Sequence, residues 1–299
     1  ANFDWPMGDI SEPGLRTEGP NFYNMIKLGE DLTADDAIRA LYVFNSNPAA
    51  TAPNQNKVHA GLAREDLFVA VHELFMSDTA QRANLVLPAC TQAEQWDVHR
   101  SYWHDYAQIN RPAIAPLGEA RPNHWVFGRI AQTMGFDEPC FRESEEDTLR
   151  GLLAGTELDF DALAAGPVPC LPVEKTSFAD RRFPTPSGKL ELIAPSYAPA
   201  PADGEHRYRF ITPKSRHLQS SQMFNVARNQ AGVREATLYL HPEDGAREGI
   251  DDGANVRVWN ERGEVALVAR LSEDVQPGLV ASYMVRWGPN ANATTPDTP

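Results

Sequence analysis

The sequence predicts an α/β parallel-sheet domain followed by a β-barrel domain, and three observations predict it. Continuously apolar runs of strand length recur early in the chain, with short helical pieces between them. A Pro- and Gly-rich texture sets in after Gly155 and rules out regular helix or central strand there. Beyond His206 the chain becomes short alternating strands around one short helix. The limits that follow are 1–175 for the α/β domain, 176–205 for a Pro-rich connection and 206–299 for the barrel.

Ile38–Asn45 is the first expected strand, ended by Ser46, Asn47 and Pro48. Lys57–Ala63 reads as a short helix, Asp66–Glu73 as a second strand and Asn84–Ala89 as a third. Strands this apolar are expected side by side, parallel and covered on both faces. Ser77 is placed to cap a short helix with Asp78 and Thr79 in its first turn. Arg121–Phe136 is a longer helix, with Pro122 suited to its start and Gly135 to its end. Val126, Ile130 and Met134, with Phe127 beside them, fall at helical spacing and read as its core stripe. "FPTPSGKLELI" reads as a turn and a short strand.

In the last third, Tyr208–Thr212 is a strand, and Leu238–Ile250 joins a strand to a helix. Pro242 opens that helix, two acids follow in its first turn, and Gly249 closes it. Asn255–Leu271 reads as a hairpin whose turn, "NERG", supplies a Gly where positive φ is expected. Val265, Leu267, Ala269 and Leu271 share one face of its second strand.

Composition excludes some functions. The net charge of −14 argues against a nucleic-acid partner. A phosphate-bearing cofactor remains compatible, because a few local donors suffice for one. No apolar run approaches the ~18 residues of a membrane span. The opening "ANFDWPMGDI" lacks an initiator Met and a leader pattern, and Trp5 and Met7 sit in no clear element. It reads as internal to a longer protein. Cys90, Cys140 and Cys170 are far apart and form no CxxC pair, which reads as three separate buried thiols in a reducing compartment. Cys90 with His99 and His104 makes a weaker metal candidate, because the spacing fits no standard pattern.

The candidate site lies at strand ends. In open parallel sheets, ligands bind outside the carboxyl ends of the strands. Polar pieces follow each expected strand there: Asn47 after the first, His72 and Glu73 with the Ser77 turn after the second, and "PACTQAEQ" after the third. Asn47 carries donors and acceptors suited to a purine edge or ribose, and Glu73 an acceptor for guanine N–H groups or a ribose hydroxyl. Each piece is also what an ordinary turn or cap looks like.

Tyr42–Glu94, Pro116–Phe136 and Phe183–Leu192 resemble the third domain of the molybdopterin oxidoreductases of the dimethyl sulfoxide reductase family. Phe210–Asn225 and Leu238–Gly278 resemble that family's C-terminal dinucleotide-binding barrel. The resemblance covers most of Ile38–Pro299 and implies a barrel of the double-psi, aspartate-decarboxylase-like type. It implies a bis(molybdopterin guanine dinucleotide) carrying Mo or W, with an Fe–S cluster in a preceding region. It implies two-electron chemistry on a small molecule, with oxygen-atom transfer in many relatives, and an electron-transfer subunit as a further partner. The cofactor carries that chemistry while the protein orients it.

Carried onto this sequence, the resemblance assigns Asn47, His72, Glu73 and Asn123 to the guanosine end. It assigns Thr212, Pro213, Lys214, Ser215, Arg216, His217, Ser220 and Ser221 to the pterin and diphosphate, and Asn292 to a late contact. Lys214 and Arg216 suit phosphate charge, while His217, Ser220 and Ser221 offer hydrogen bonds. Gln95 and Thr294 depart from the family pattern. The family's metal ligand and cluster cysteines lie in its N-terminal half and have no counterpart here, so no catalytic or metal-binding residue is assigned. His99 and His104 fall in a region that lies toward the substrate in relatives. The expected location is cytoplasmic, with the periplasm left open. Two rivals stand beside this reading: a scaffold like the large Fe–S subunit of respiratory complex I, and a stand-alone nucleotide-binding module. Retention of "NSNP", "HE" and "TPKSRHLQSS" favours a working cofactor site over the scaffold. Nitrate, formate, sulfur oxyanions, S- or N-oxides and polysulfide all fit as substrate classes.

Overall fold

The computed structural model describes residues 23–34, 38–101, 103–169, 178–192, 206–230, 236–284 and 287–297. Trp5, Met7, Cys170 and the Pro-rich stretch 193–205 lie outside the described residues. In chain order the elements are α1 Leu28–Ala34, β1 Ala40–Phe44, α2 Pro48–Thr51, α3 Gln55–Leu62, β2 Phe68–Glu73 and β3 Leu85–Pro88. They continue with β4 Asp97–Arg100, β5 Tyr106–Asn110, α4 Asn123–Thr133, α5 Glu145–Leu153, α6 Phe160–Ala165 and β6 Val168–Pro169. The last group is β7 Arg209–Ile211, α7 Ala227–Gln230, β8 Thr237–Leu240, α8 Pro242–Glu248, β9 Asn255–Asn260, β10 Gly263–Leu271 and β11 Leu279–Ala281. No helix among the described residues is long and apolar enough to cross a membrane.

The chain divides into two compact units: residues 21–87 together with 201–299, and residues 1–20 together with 88–200. In the former, the early strands form a sheet in the order β1-β2-β3. β1 and β2 run parallel, with Phe44 opposite His72. Val69, Ala70, Val71 and His72 are buried, so β2 is covered on both faces. The flanking strands are not: Phe44 of β1 and Leu85 of β3 are exposed, as strands at the two edges of a three-stranded sheet can be, and Phe68 is exposed where β2 begins. Leu32, Val58 and Leu62 of α1 and α3 pack with Val43, Val69 and Val71 into one core.

The later strands of the same unit form a curled five-stranded sheet in the order β7-β11-β8-β10-β9. It is mixed: β10 pairs β8 in parallel and β9 antiparallel. Among the described residues its end strands, β7 and β9, do not pair with each other. Alternation places Val265, Leu267 and Ala269 in a core with Leu238, Leu240 and Val280. α8 begins and ends where its punctuation predicts. His241 caps it by accepting from the Glu243 N–H, and Gly249 closes it at a left-handed φ of +67°.

The hairpin turn departs from expectation. Gly263 is not among the residues with positive φ. Space explains the glycine instead, because a Cβ there would lie 2.2 Å from Asn56 Nδ2 and 2.8 Å from the Ala293 carbonyl.

In the other unit, β4, β5 and β6 form an antiparallel sheet. Ala107, Leu149, Leu153, Phe160 and Leu163 form its core. α4 also departs from the expected stripe. Val126 is buried, but Phe127, Ile130 and Met134 are exposed, and the buried positions are Val126, Gly128 and Ala131. The close neighbour is the Phe141 carbonyl, which a Cβ on Gly128 would meet at 2.7 Å, so the small residue faces inward. "FPTPSGKLELI" keeps its turn but not its strand: Thr185 bonds back to the Lys189 carbonyl, while Leu190 and Leu192 stand exposed.

Candidate cofactor-binding site

The site is built upward from the carboxyl ends of β1 and β2. Asn47 caps α2 by position but not by its side chain. It is 6% exposed, and its Oδ1 accepts from both the Thr79 N–H (3.1 Å) and the Thr79 hydroxyl (2.8 Å). Thr79 Oγ1 in turn accepts from the Ala49 N–H at 3.0 Å. The loop after β1 is therefore tied to the loop after β2 through a buried polar knot. Such knots are retained where every member has a partner, because an unpaired buried group is expensive.

His72 is fully buried. Glu73 is half-buried, and its carboxylate accepts from the Leu74 N–H at 2.7 Å. Burial raises the Glu73 pKa above the ordinary glutamate range, and the Leu74 N–H and His72 partly offset that. Leu74, Phe75 and Met76 then expose a short apolar run. The expected capped helix after Ser77 is only a 3-10 turn, Ala80–Arg82. Ser77 still accepts from the Ala80 N–H at 3.4 Å, and the Gln81 N–H closes one α-type turn on the Ser77 carbonyl at 2.9 Å, but the turn is not continued into a helix, and Asp78 and Thr79 spend their side chains on partners distant in sequence.

Those partners include the end of the chain. The Asp78 carboxylate accepts from the Gly288 N–H at 2.7 Å and faces Asn47 Nδ2 at 3.5 Å. Gln55 Nε2 donates to the Gly288 carbonyl (3.2 Å) and to the Ala49 carbonyl (2.8 Å). Asn290 and Asn292 both donate to the Ala50 carbonyl, at 3.1 and 2.9 Å. Asn54 and Lys57 meet the Asp297 carboxylate. Burial alone would raise the Asp297 pKa, but these two donors outweigh it and hold it below the usual aspartate range.

Thr212–Ser221 follows β7. Ser215 is buried, and its hydroxyl accepts from the His217 N–H at 3.1 Å. Thr212, Pro213, Lys214 and Arg216 are exposed, while His217, Ser220 and Ser221 are partly covered. Arg216 Nε donates to His217 Nε2 at 3.2 Å. The Pro213 carbonyl accepts from the Met284 N–H at 2.9 Å, and the Ser221 carbonyl from Trp287 Nε1 at 2.8 Å. Trp287 also stacks on Phe224, with ring centroids 5.6 Å apart. Through Trp287 and its neighbour Gly288, this segment is joined to the Asp78–Asn47 edge.

The structure thus brings Asn47, His72, Glu73, Asn292 and the 212–221 segment into one unit. Asn123 belongs to the other unit, as the first residue of α4, with Gln95, His99 and His104. His104 Nδ1 accepts from the Tyr106 N–H at 3.2 Å. Cys90 is buried as expected, but Cys140 is exposed, in the short turn Pro139–Arg142 that buries none of its residues. No group of His, Cys, Asp and Glu among the described residues is arranged to hold a metal. A cavity of about 650 Å³ over the five-stranded sheet, floored by Phe210, Leu238 and Val258, includes only Thr212 of the expected site residues.

Sequence reasoning missed Asp78, Gln55, Trp287 and Asn290 as parts of this framework. It also missed a charge pattern that the sequence does carry. From His206 to Arg234 there are six Lys and Arg residues and no Asp or Glu, in a chain with 41 acidic residues. An acid-free stretch in so acidic a chain suits an anion, although Arg207 within it is already paired with Glu248 at 3.3 Å.

The fold and this edge define a class first: a protein built to hold a large, anionic, nucleotide-like cofactor. The comparisons with known proteins make it specific. Residues 22–133 match the molybdopterin oxidoreductase family model, and residues 208–299 match the molydopterin dinucleotide-binding domain. The chain belongs to the molybdopterin oxidoreductases of the dimethyl sulfoxide reductase family, and its cofactor class is the Mo-bearing molybdopterin dinucleotide. It is similar to "Probable oxidoreductase YoaE" of Bacillus subtilis (36% identity, 95% of this chain and 45% of that protein). It is also similar to the biotin sulfoxide reductase of Cereibacter sphaeroides (29% identity, 98% and 44%). A third relative is the dimethyl sulfoxide/trimethylamine N-oxide reductase of Rhodobacter capsulatus (27% identity, 87% and 37%). The chain spans less than half the length of each. The acetylene hydratase structure from Pelobacter acetylenicus shares the fold, with a TM-score of 0.72 at 18% identity over 89% of this chain and 40% of that one.

Proposed function

We propose that this chain is the cofactor-holding portion of a bis(molybdopterin guanine dinucleotide) enzyme that moves two electrons to or from a small molecule, with oxygen-atom transfer as the accompanying chemistry. The observation that supports it most is the acid-free basic stretch 206–234, whose segment 212–221 is anchored to the strand-end loops of the same unit. In this reading Glu73 accepts from guanine or ribose N–H and O–H groups, beside the buried His72. Lys214 and Arg216 meet the diphosphate. Ser215, His217, Ser220 and Ser221 add hydrogen bonds, and Thr212 and Pro213 shape the loop.

Asn47 and Asn292 act by holding the framework, since their side chains already bond Thr79 and the Ala50 carbonyl. Asn123 is a further guanine contact in the same reading. The curled sheet belongs, in this reading, to a barrel of the double-psi type. When bound, the metal centre supplies the redox chemistry, and these residues supply its position and charge balance. An Fe–S cluster, an electron-transfer subunit and a cytoplasmic location belong to the same reading.

The test is the guanine content of the full-length protein after acid release of nucleotide. Hydrogen bonds to charged groups contribute ~1.5–3 kcal/mol. Glu73→Ala should therefore lower guanine content about tenfold or more where binding is not saturating. The melting temperature should hold. Unchanged guanine content would remove Glu73 from the site, and lost folding would make it structural.

A further inference from the structure

Asp78 makes no contact within its own loop that explains a buried carboxylate. It is 7% exposed, and its two oxygens face the Gly288 N–H and Asn47 Nδ2. The first contact joins residues 210 positions apart in the chain. A carboxylate that accepts from a backbone N–H makes a stronger bond than a neutral amide oxygen would. The Gly288 peptide is also held from its other side, where its carbonyl accepts from Gln55 and Asn290.

The adjacent residue is Trp287. Its indole N–H reaches the Ser221 carbonyl, and its ring lies on Phe224. The same Asp78 sits five residues after Glu73, and its backbone carbonyl accepts from Arg82 at 2.9 Å. One buried carboxylate therefore stands between the loop that carries Glu73 and the segment that carries Lys214 and Arg216.

We propose that Asp78 is a positioning residue: with Gly288 and Trp287 it forms a clamp that sets the placement of the 212–221 segment relative to the end of β2, and so the span between the guanosine and diphosphate contacts. The proposal rests on the dinucleotide reading given above. The clamp contacts no ligand. It fixes two ligand-bearing loops before the ligand arrives, so that their ordering is not charged to binding. Without it, Lys214 and Arg216 sit on a loop free to wander from the guanosine end, and a long two-ended ligand loses most from that freedom.

The experiment uses the full-length protein, in its cofactor-free form for backbone amide exchange and its cofactor-loaded form for guanine content. Asp78→Ala should speed exchange over 214–224 and 284–292 by roughly tenfold or more, the scale of one lost charge-assisted bond. It should lower guanine content by less, about three- to tenfold, because the clamp touches no ligand. Asp78→Asn keeps an acceptor for Gly288 but not the charge, and should fall between wild type and Ala in both readouts. Trp287→Phe keeps the ring stack and removes the N–H. It should speed exchange over 219–224 alone, leaving 74–82 as in wild type; this variant and the Asn variant carry the test if Asp78→Ala does not fold.

Exchange over 214–224 that stays at the wild-type rate in Asp78→Ala and Trp287→Phe overturns the clamp. A uniform rise across 40–87 and 206–297 overturns it too, because Asp78 would then be a general stability residue. If the segment loosens as expected but neither Asp78→Ala nor Glu73→Ala changes guanine content, the dinucleotide reading falls and the clamp stands.

Discussion

Asn47 and Lys214 were expected to serve the same cofactor, yet the molecule treats them in opposite ways. Asn47 is buried, and its amide oxygen is fully used by Thr79. Lys214 is exposed and makes no hydrogen bond or ion pair among the described residues. A polar residue at a strand end can be a ligand or a staple, and residue type does not distinguish them. Burial and partners do. An amide oxygen with both lone pairs used by protein has none left to offer a ligand, whereas an uncommitted cation on an acid-free stretch has its charge to offer. The edge is thus divided between residues that hold the loops together and residues that face outward from them.

The largest expected effect tests the staple side of this division. Asn47→Ala would leave the Thr79 N–H without its acceptor in a buried place, at ~1–3 kcal/mol for an unsatisfied group. The melt of the cofactor-free protein should show a clearly lowered midpoint. Amide exchange in β1 and β2 should accelerate with it. A melt matching wild type, together with a loss of guanine, would reverse the division and make Asn47 a ligand.

Lys214→Ala tests the other side. Being exposed and unengaged, the residue should change stability by no more than ~0.5 kcal/mol. Guanine content should nonetheless fall, by up to about tenfold if one charged contact to phosphate is lost. The deficit should be larger at low salt, since the Debye length is ~30 Å at 0.01 M and ~8 Å at 0.15 M. Salt-independent loss would point to a shape role for the loop in place of charge. A drop in stability would show that Lys214 has structural partners after all.

What the sequence made legible follows the same line. β1, β2, β3, α3, α8 and the β9–β10 hairpin are local patterns, set by apolar runs, Pro242 and Gly249, and alternation along Val265, Leu267 and Ala269. All of these are found. The failures are contacts between distant residues. The stripe Val126–Ile130–Met134 has helical spacing, but spacing does not say which face meets the core. Here the small Gly128 and Ala131 are inside, and Met134 is 70% exposed. Gly263 was read as a turn residue, and its reason is a neighbour some 200 positions away, Asn56. Ser77, Asp78 and Thr79 have the composition of a helix start, yet only Ser77 bonds locally, and the partners of Asp78 and Thr79 lie at Gly288 and Asn47. The basic stretch 206–234 was readable, but only by counting what is absent from it.

The smallest expected effect concerns Glu73, which sits between the two groups: half-buried, with one local acceptor bond and one oxygen unassigned among those bonds. Burial raises its pKa in the folded chain above the ordinary glutamate range. The sign follows from proton binding. Between the ordinary range and the raised folded value, the native state holds more protons than the unfolded one, so stability declines as pH rises through that window. Above it the full penalty of the buried charge applies; below it there is none. Glu73→Gln removes the titration. In the cofactor-free protein it should match wild type in acid and be slightly more stable at neutral pH, by about 0.5 kcal/mol or less for so partial a burial. Melts at several pH values read this directly. A charge on Glu73 comes at a cost to stability, and the use proposed for it is a contact to guanine or ribose. If the Gln variant is instead less stable at neutral pH, the carboxylate is held by protein partners, and Glu73 moves to the staple side with Asn47.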